Sequence, residues 1–217
     1  MSDARPFDVR LRVMLITPEI SERPDWLART SEALAGGVRC VQLRAKNASA
    51  RALMDAARTL RELTRAAGAL FLVNGRVDVA RAAAADGVHL GAAGLPAAAV
   101  RALLGAEAVI GYSAHLGEAP AAWRGASYCT FSPVYPSPGK GEAVGAAALQ
   151  RFVAGADVPV VALGGVTAER MAEAAAAGAS GAAVIREIFD APDPAAAARR
   201  LCAAWEETQD HGSKNRS

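Results

Sequence analysis

The stretch Leu70–Leu90, which reads LFLVNGRVDVARAAAADGVHL, predicts one strand–helix–strand unit. The aliphatic run from Leu70 to Asn74 is typical of a buried strand, and the run from Gly87 to Leu90 is typical of a second one. The alanine-rich segment between them, from Val77 to Ala85, has the apolar spacing of a helix. Because a connecting helix carries the chain back along the sheet, the two strands are predicted to be parallel.

The same alternation continues in both directions from this unit. The other predicted strands are Arg12 to Thr17, Val38 to Arg44, Val109 to Ser113, Ser127 to Phe131, Val158 to Leu163 and Gly181 to Ile185. The other predicted helices are Pro24 to Ala35, Ser49 to Ala67, Pro96 to Leu104, Gly117 to Trp123, Ala146 to Ala154, Thr167 to Ala177 and Asp193 to Glu207. The chain is therefore predicted to alternate between strand and helix throughout.

Eight such pairs in about 200 residues indicate an α/β fold, a single-domain (β/α)8 or TIM barrel. The alternative is a doubly wound open sheet, which favours a glycine-rich turn after its first strand. Thr17 to Ile20 contains no glycine, so the barrel is the better prediction. We expect residues 1–205 to form the barrel, and the polar residues 206–217 to form a disordered tail.

Composition excludes several classes of protein. The chain has 217 residues, 52% of them hydrophobic, which is enough for a sizeable core. Lys plus Arg number 24 and Asp plus Glu 22, with the arginines scattered, so we expect no nucleic-acid and no membrane partner. Cys40, Cys129 and Cys202 are expected to be reduced thiols in a cytoplasmic protein. In a homo-oligomer, the three tryptophans would belong to the interface. The simpler interpretation is that each of them packs a helix onto the barrel.

Polar residues at the carboxyl ends of the strands are the first candidates for chemistry in a barrel. After the second strand, Gln42, Arg44 and Lys46 alternate, which places them on one side. Two cations and an amide suit a phosphate or a pyrophosphate, although a solvated strand end would have the same composition. Asn74 ends the third strand beside Gly75, where the alternative is an ordinary turn.

Two histidines follow later strands. His115 and Ser113 lie two residues apart after the fifth strand, and an imidazole there suits proton transfer near neutral pH. The alternative role of His115 is to cap the following helix. His89, in the fourth strand, is interpreted as a packed histidine of the barrel interior.

The last strands carry an anion-binding pattern. The loop from Ser132 to Gly141 has three prolines, Ser137 and an isolated Lys140 between two glycines, which indicates a lid that closes onto an anion. The seventh strand ends in Gly164 and Gly165, and the eighth in Ile185 and Arg186, where barrels usually bind phosphate. The alternatives are a surface connection for the loop and close packing for the glycines.

Taken together, these residues carry a family resemblance. Six motifs occur in order: Gly36-Gly37-Val38 with Val41-Gln42-Leu43-Arg44-Ala45-Lys46, Val73-Asn74-Gly75-Arg76-Val77-Asp78-Val79-Ala80, Ala85-Asp86-Gly87-Val88-His89-Leu90-Gly91, Ser113-Ala114-His115, Ser132-Pro133-Val134-Tyr135-Pro136 and Ala162-Leu163-Gly164-Gly165-Val166. This set resembles the thiamine phosphate synthase and thiazole tautomerase superfamily, from about Leu15 to Phe189. The resemblance implies a (β/α)8 barrel that acts in thiamine biosynthesis on a thiazole phosphate.

The two branches of the superfamily differ in the residues that would hold a metal ion. The synthase pattern has one aspartate after the strand-three asparagine and one after His-Leu-Gly, and the resemblance implies that both hold Mg²⁺. This chain has Gly75 and Gly94 at those positions, which removes most of what a hard cation needs from the protein. The run Asn-Gly-Arg-Val-Asp instead resembles the tautomerase branch, so we expect no cofactor.

Three hypotheses for function follow. The leading one is a metal-independent tautomerase that aromatises a thiazole carboxylate phosphate, with His115 as acid and base and the phosphate on Gly164, Gly165, Ile185 and Arg186. The second is a Mg²⁺-dependent thiamine phosphate synthase, because the pyrophosphate-type residues are retained, namely Gln42, Arg44, Lys46, Asn74 and Lys140. The third is a non-catalytic regulator that binds thiazole or thiamine phosphates.

Arg186 departs from the family pattern, which often has a small hydroxyl residue after the eighth strand. It is expected either to contact the phosphate or to pair with Glu187 or Asp190.

Overall fold

Eight parallel strands close into a barrel in the computed structural model, which describes the backbone of residues 8–214 and the side chains of residues 8–209. The strands are β1 (Val13–Ile16), β2 (Cys40–Leu43), β3 (Leu70–Asn74), β4 (Gly87–Leu90), β5 (Val109–Ala114), β6 (Tyr128–Phe131), β7 (Val160–Leu163) and β8 (Gly181–Val184). Each strand pairs with the next in sequence, and β8 closes the sheet on β1 with Leu15 opposite Val184. The predicted (β/α)8 fold is therefore confirmed.

Helices surround the barrel. They are α1 (Trp26–Ala35), α2 (Ala50–Ala66), α3 (Val77–Ala82), α4 (Ala97–Leu104), α5 (Gly145–Gly155), α6 (Met171–Ala176), α7 (Arg186–Phe189) and α8 (Pro194–Lys214). Short 3-10 turns occupy Val9–Leu11, Pro120–Trp123 and Ala168–Arg170. Ser49 begins α2 as a cap, because its hydroxyl accepts the Ala52 N–H at 3.2 Å. In the described residues no helix has both the length and the apolar character needed to span a membrane.

The elements differ from the sequence prediction in three places. Between β5 and β6 the predicted helix is only the turn Pro120–Trp123, because Gly117 adopts φ +89° and Pro120 begins a new turn. The short helix α7 directly after β8 was not predicted. The segment from Glu206 to Lys214, expected as a disordered tail, continues α8, since glutamate and glutamine are good helix formers without an apolar stripe. Residues 1–7 and 215–217 of the predicted units lie outside the described part.

Side chains alternate between the inside of the barrel and the helix layer. One buried cluster fills the interior and includes Met14, Ile16, Leu72 and Val161. A second, larger cluster packs the outer strand faces against the helices. Trp123 and Trp205 are buried in that outer layer and Trp26 packs against it, which agrees with helix packing as the role of the three tryptophans.

A polar network lies within this apolar interior. His89 Nδ1 is 3.0 Å from the Tyr128 hydroxyl, and its Nε2 is 3.3 Å from Thr130 Oγ1. Gly111 makes the room for this ring, because a Cβ there would lie 2.3 Å from His89 Nδ1. Burial lowers the pKa of His89 to about 4, so the ring is neutral at physiological pH. The prediction of a packed interior histidine agrees with this environment.

Burial of neutral His89 makes stability depend on pH. The His89 ring is protonated below about pH 6.5 in the unfolded chain, but only below about pH 4 in the folded protein. The contribution of His89 to the free energy of unfolding should therefore be fully present above pH 6.5. The free energy of unfolding should be lower by about 2 kcal/mol at pH 5 than above pH 6.5. Urea unfolding at both pH values measures the loss. His89→Gln should reduce this loss of stability, and His115→Gln should not. An equal loss in the wild type and both variants would contradict the assignment of the loss to His89.

Candidate active site

The floor of the barrel mouth is an amide pair from adjacent strands. Gln42 of β2 and Asn74 of β3 both point to the inside, and Gln42 Nε2 donates to Asn74 Oδ1 at 3.0 Å. Gln42 is only 2% exposed, and its Oε1 is buried without a hydrogen-bond partner. Because a buried acceptor without a partner costs free energy, this atom is suited to accept a hydrogen bond from a bound molecule.

Three cations lie near one another at the end of β2 and in the loop after β6. Arg44 and Lys46 follow β2, and Lys140 approaches them from the loop after β6. The pKa of Lys140 is lowered, mainly by desolvation and further by the positive charges of Arg44 and Lys46. Like charges brought together in this way favour binding of a multiply charged anion. The structure thus brings together three residues that the sequence analysis assigned to one anion.

Thr17 positions the first of these cations and was missed by the sequence analysis. Its buried hydroxyl accepts the Arg44 N–H at 2.8 Å and lies 3.3 Å from the Arg44 carbonyl oxygen, to which it donates. The signal for this role was present, because Thr17 is the polar residue at the carboxyl end of the first strand, where barrel sites collect their residues.

The loop of residues 132–141 is held against β7 by its backbone. Val134 N donates to the Leu163 carbonyl at 2.9 Å, and Tyr135 N donates to the Gly164 carbonyl at 3.0 Å. Farther along, Lys140 N donates to the Ser137 carbonyl at 3.1 Å, which closes a tight turn. The loop therefore begins as a fixed segment and ends in a turn that carries Lys140.

Gly164 and Gly165 are required by this packing. Both have positive φ, +94° and +62°, and a Cβ on Gly165 would lie 2.4 Å from the Pro136 carbonyl oxygen. The alternative from the sequence was close packing of a strand against a helix; the two glycines are closely packed, but against the 132–141 loop. Arg170 fixes the same segment by donating to the Gly165 carbonyl at 2.6 Å. Within the described chain, the N–H groups of Gly165 and Ile185 donate to no backbone carbonyl. They are therefore available to an anion.

Arg186 extends from the start of α7 to the loop. Its Nη2 donates to Ser137 Oγ at 3.0 Å. Neither expected pairing of Arg186, with Glu187 or with Asp190, is found among the described side chains; Asp190 pairs with Arg23 at 2.6 Å instead. Arg186 and Ser137, two predicted anion-binding residues, are therefore in direct contact.

His115 lies at the rim, directly after β5. Its side chain is exposed, and Nδ1 is 3.2 Å from the carbonyl oxygen of Ser132. Because a carbonyl oxygen only accepts, Nδ1 carries a proton in this contact, and among the described residues no hydrogen bond engages Nε2. Ser113 lies two residues earlier on β5, opposite Thr130 of β6. The helix-capping alternative for His115 is wrong, because no helix starts there.

Comparison with known proteins places this site in a family. The family described as "Thiamine monophosphate synthase" matches residues 13–188, from the start of β1 into α7, and so includes all eight strands. The chain belongs to the thiamine monophosphate synthase family. This membership makes it an enzyme of thiamine biosynthesis.

Individual relatives agree with the family. A putative thiamine-phosphate synthase of Geobacter sulfurreducens is 51% identical over 184 residues, which cover 82% of this chain and 86% of the relative. A thiamine-phosphate synthase of Thioalkalivibrio sulfidiphilus is 44% identical over 205 residues, covering 91% and 97%. The structure of thiamine phosphate pyrophosphorylase from Pyrococcus furiosus superposes with a TM-score of 0.82 at 35% identity, covering 92% and 97%. These relatives favour the synthase hypothesis over the tautomerase hypothesis.

The Mg²⁺ expected of a synthase does not fit the residues of this family member. Gly75 and Gly94 occupy the two positions where the synthase pattern has carboxylates. Nearby Asp78 pairs with Arg76 at 2.6 Å, and that guanidinium lowers the Asp78 pKa to about 2. Among the described side chains no group of three or more His, Cys, Asp or Glu could hold a metal ion. The protein thus offers amides and cations at this mouth instead of the oxygen anions that Mg²⁺ prefers.

The three cations should dominate binding of inorganic pyrophosphate. Lys140→Met removes one positive charge from the cluster and should weaken pyrophosphate binding at least tenfold, or about 1.4 kcal/mol. Isothermal titration calorimetry at two salt concentrations measures the affinity and its ionic component. Arg124→Met, an exposed arginine away from the mouth, is the matched control. Equal affinity in the wild type and Lys140→Met would show that Lys140 does not face the bound anion.

Proposed function

We propose that this protein is a thiamine-phosphate synthase, which joins hydroxymethylpyrimidine pyrophosphate to thiazole phosphate. The observation that carries the proposal is the buried Gln42–Asn74 amide pair, with the unpartnered Gln42 Oε1, at the ends of β2 and β3, together with the nearby cations Arg44, Lys46 and Lys140. A tautomerase substrate has a single phosphate, which the β7–β8 end would bind by itself. The additional cations at the β2 end are matched to a second and more highly charged anion, the pyrophosphate of the pyrimidine substrate.

The proposed reaction exchanges one bond for another. The bond between the pyrimidine methylene carbon and a pyrophosphate oxygen breaks, and its electron pair leaves with pyrophosphate. The thiazole nitrogen uses its lone pair to bond the methylene carbon, which yields thiamine phosphate. Arg44, Lys46 and Lys140 stabilise the charge that develops on the leaving pyrophosphate, and the unpartnered Gln42 Oε1 is placed to accept a hydrogen bond from the pyrimidine substrate.

The thiazole phosphate is assigned to the β7–β8 side of the mouth, across β1 from the carboxyl end of β2. The free N–H groups of Gly165 and Ile185, the bend at Gly164 and the Arg186 guanidinium support a phosphate there. Cys40 and Cys129 are free and buried, which supports the expected cytoplasmic location.

The first test is direct assay of thiamine phosphate formation. Purified protein is incubated with both substrates, with either MgCl₂ or EDTA, and the product is quantified by fluorescence after oxidation to its thiochrome. We expect product formation, and Arg44→Met should lower kcat/KM about a hundredfold because the charge acts on the leaving group. Arg124→Met serves again as the control. Failure of the wild type to form product under either condition would overturn the synthase proposal.

A thiazole tautomerase is the second candidate, favoured by the position of His115 at the rim, where Nδ1 contacts the Ser132 carbonyl, and by Gly75 and Gly94. In that reaction His115 Nε2 would take a proton from one ring atom and return it to another, which leaves the phosphate untouched. The net change is a proton shift, so no metal is needed.

The tautomerase candidate has its own assay. The non-aromatic thiazole carboxylate phosphate is added in EDTA, and the aromatic thiazole absorbance is followed against a protein-free control. If this candidate is correct, His115→Ala should abolish the acceleration while thiazole phosphate binding changes less than about twofold. Turnover retained in His115→Ala would reject the role of His115. Binding of both ligands with neither activity would instead identify a non-catalytic regulator.

A further inference from the structure

We propose that Arg186 is a positioning residue that couples the two anion sites through the 132–141 loop. It would do so by fixing the turn that carries Lys140. The placement of thiazole phosphate beside Arg186 rests on the proposed function, whereas the link from Arg186 to Lys140 rests on contacts within the protein.

The first step is the attachment of the loop. Its beginning is fixed to β7 through Val134 and Tyr135, and the chain is fixed again where Gly145 N donates to the Val134 carbonyl at 2.9 Å. Between these anchors lie residues 136–143. Within the described chain, the contact from Arg186 Nη2 to Ser137 Oγ is the one hydrogen bond that joins this segment to another element. Arg186 therefore controls the freedom of the segment.

The second step is the short path from Ser137 to Lys140. The Lys140 N–H donates to the Ser137 carbonyl at 3.1 Å, so both residues belong to a single turn. Fixing Ser137 consequently restricts the backbone of Lys140. The Lys140 ammonium is close enough to Arg44 and Lys46 for their charges to lower its pKa, so the turn places it at the pyrophosphate end.

The third step is the donor capacity of Arg186. A guanidinium has five N–H donors, and Ser137 occupies one of them. Asp190, the acidic residue one helical turn away, is already engaged by Arg23. The remaining donors of Arg186 are thus available to an oxyanion at the β7–β8 end, and an Arg–phosphate contact there would hold the guanidinium in place beneath Ser137.

The consequence is positive coupling between the two ligands. A phosphate ester bound beside Gly164 and Gly165 orders Arg186, which orders the Ser137–Lys140 turn and presents Lys140 to pyrophosphate. By thermodynamic linkage, pyrophosphate must raise the affinity for thiazole phosphate by the same factor. In a synthase this would favour closure of the loop only when both substrates are present.

The experiment measures inorganic pyrophosphate affinity by calorimetry, with and without saturating thiazole phosphate. In the wild type we expect thiazole phosphate to tighten pyrophosphate binding roughly fivefold or more. Arg186→Met and Ser137→Ala should lose this coupling. Because the Arg186–Ser137 contact is present before any ligand binds, both variants should also bind pyrophosphate alone more weakly than the wild type. Arg186→Lys retains a donor and a charge and should restore part of the coupling. Arg151→Met, an exposed arginine on α5, is the matched control and should keep it in full.

The outcomes separate this inference from the proposed function. If both ligands bind the wild type but bind independently, or if Arg186→Met keeps the coupling, the role of Arg186 is wrong while the synthase proposal stands. If pyrophosphate does not bind the wild type, the pyrophosphate site itself is wrong, and both proposals fail. Coupling that is kept in Ser137→Ala but lost in Arg186→Met would show that Arg186 contacts the ligands directly and does not act through Ser137.

Discussion

Backbone pairing of β8 with β1 is the constraint on which the rest of the structure depends. This pairing closes the sheet, so every strand has a hydrogen-bonded neighbour on both sides. Closure brings the carboxyl ends of all the strands to one rim, although the residues there are far apart in sequence. Gln42 and Arg186 can thus serve one site only because the sheet is closed. The tightness of closure also explains Gly87, where a Cβ would lie 1.8 Å from the Val109 carbonyl oxygen.

Within this frame, the packing of the 132–141 loop on Gly164 and Gly165 connects stability to chemistry. The same glycines let the loop approach β7, and the N–H of Gly165 donates to no backbone carbonyl within the described chain. Any side chain at Gly165 would displace the loop backbone, and with it the turn that holds Lys140. The backbone conformation of Gly164 and Gly165 therefore serves both the packing of the loop and the proposed anion site. A substitution at either glycine would alter both.

The electrostatics of the mouth distinguish this chain from the synthase pattern it resembles. Where that pattern has two carboxylates for Mg²⁺, this chain has Gly75 and Gly94, yet it keeps the amides and cations that suit pyrophosphate. A cation cluster without carboxylates stabilises an anion directly, and its strength depends on how closely Lys140 approaches. This dependence gives the loop and its contact with Arg186 more importance than they would have beside a protein-bound metal.

The sequence by itself determined the fold and most of the elements, and it selected the candidate site residues. Short aliphatic runs for the strands and helical spacing between them are local properties, so β3 and β4 were predicted with their observed bounds. The rule that barrel chemistry collects at strand ends selected Gln42, Arg44, Asn74 and His115. Only the tertiary structure decided which of these residues meet. The Arg186–Ser137 contact, the support of Arg44 by Thr17 and the approach of Lys140 to Arg44 join distant segments, and local patterns carry no information about such distances. The continuation of α8 beyond Trp205 was also missed, because a solvent-exposed polar helix has no apolar period to reveal it.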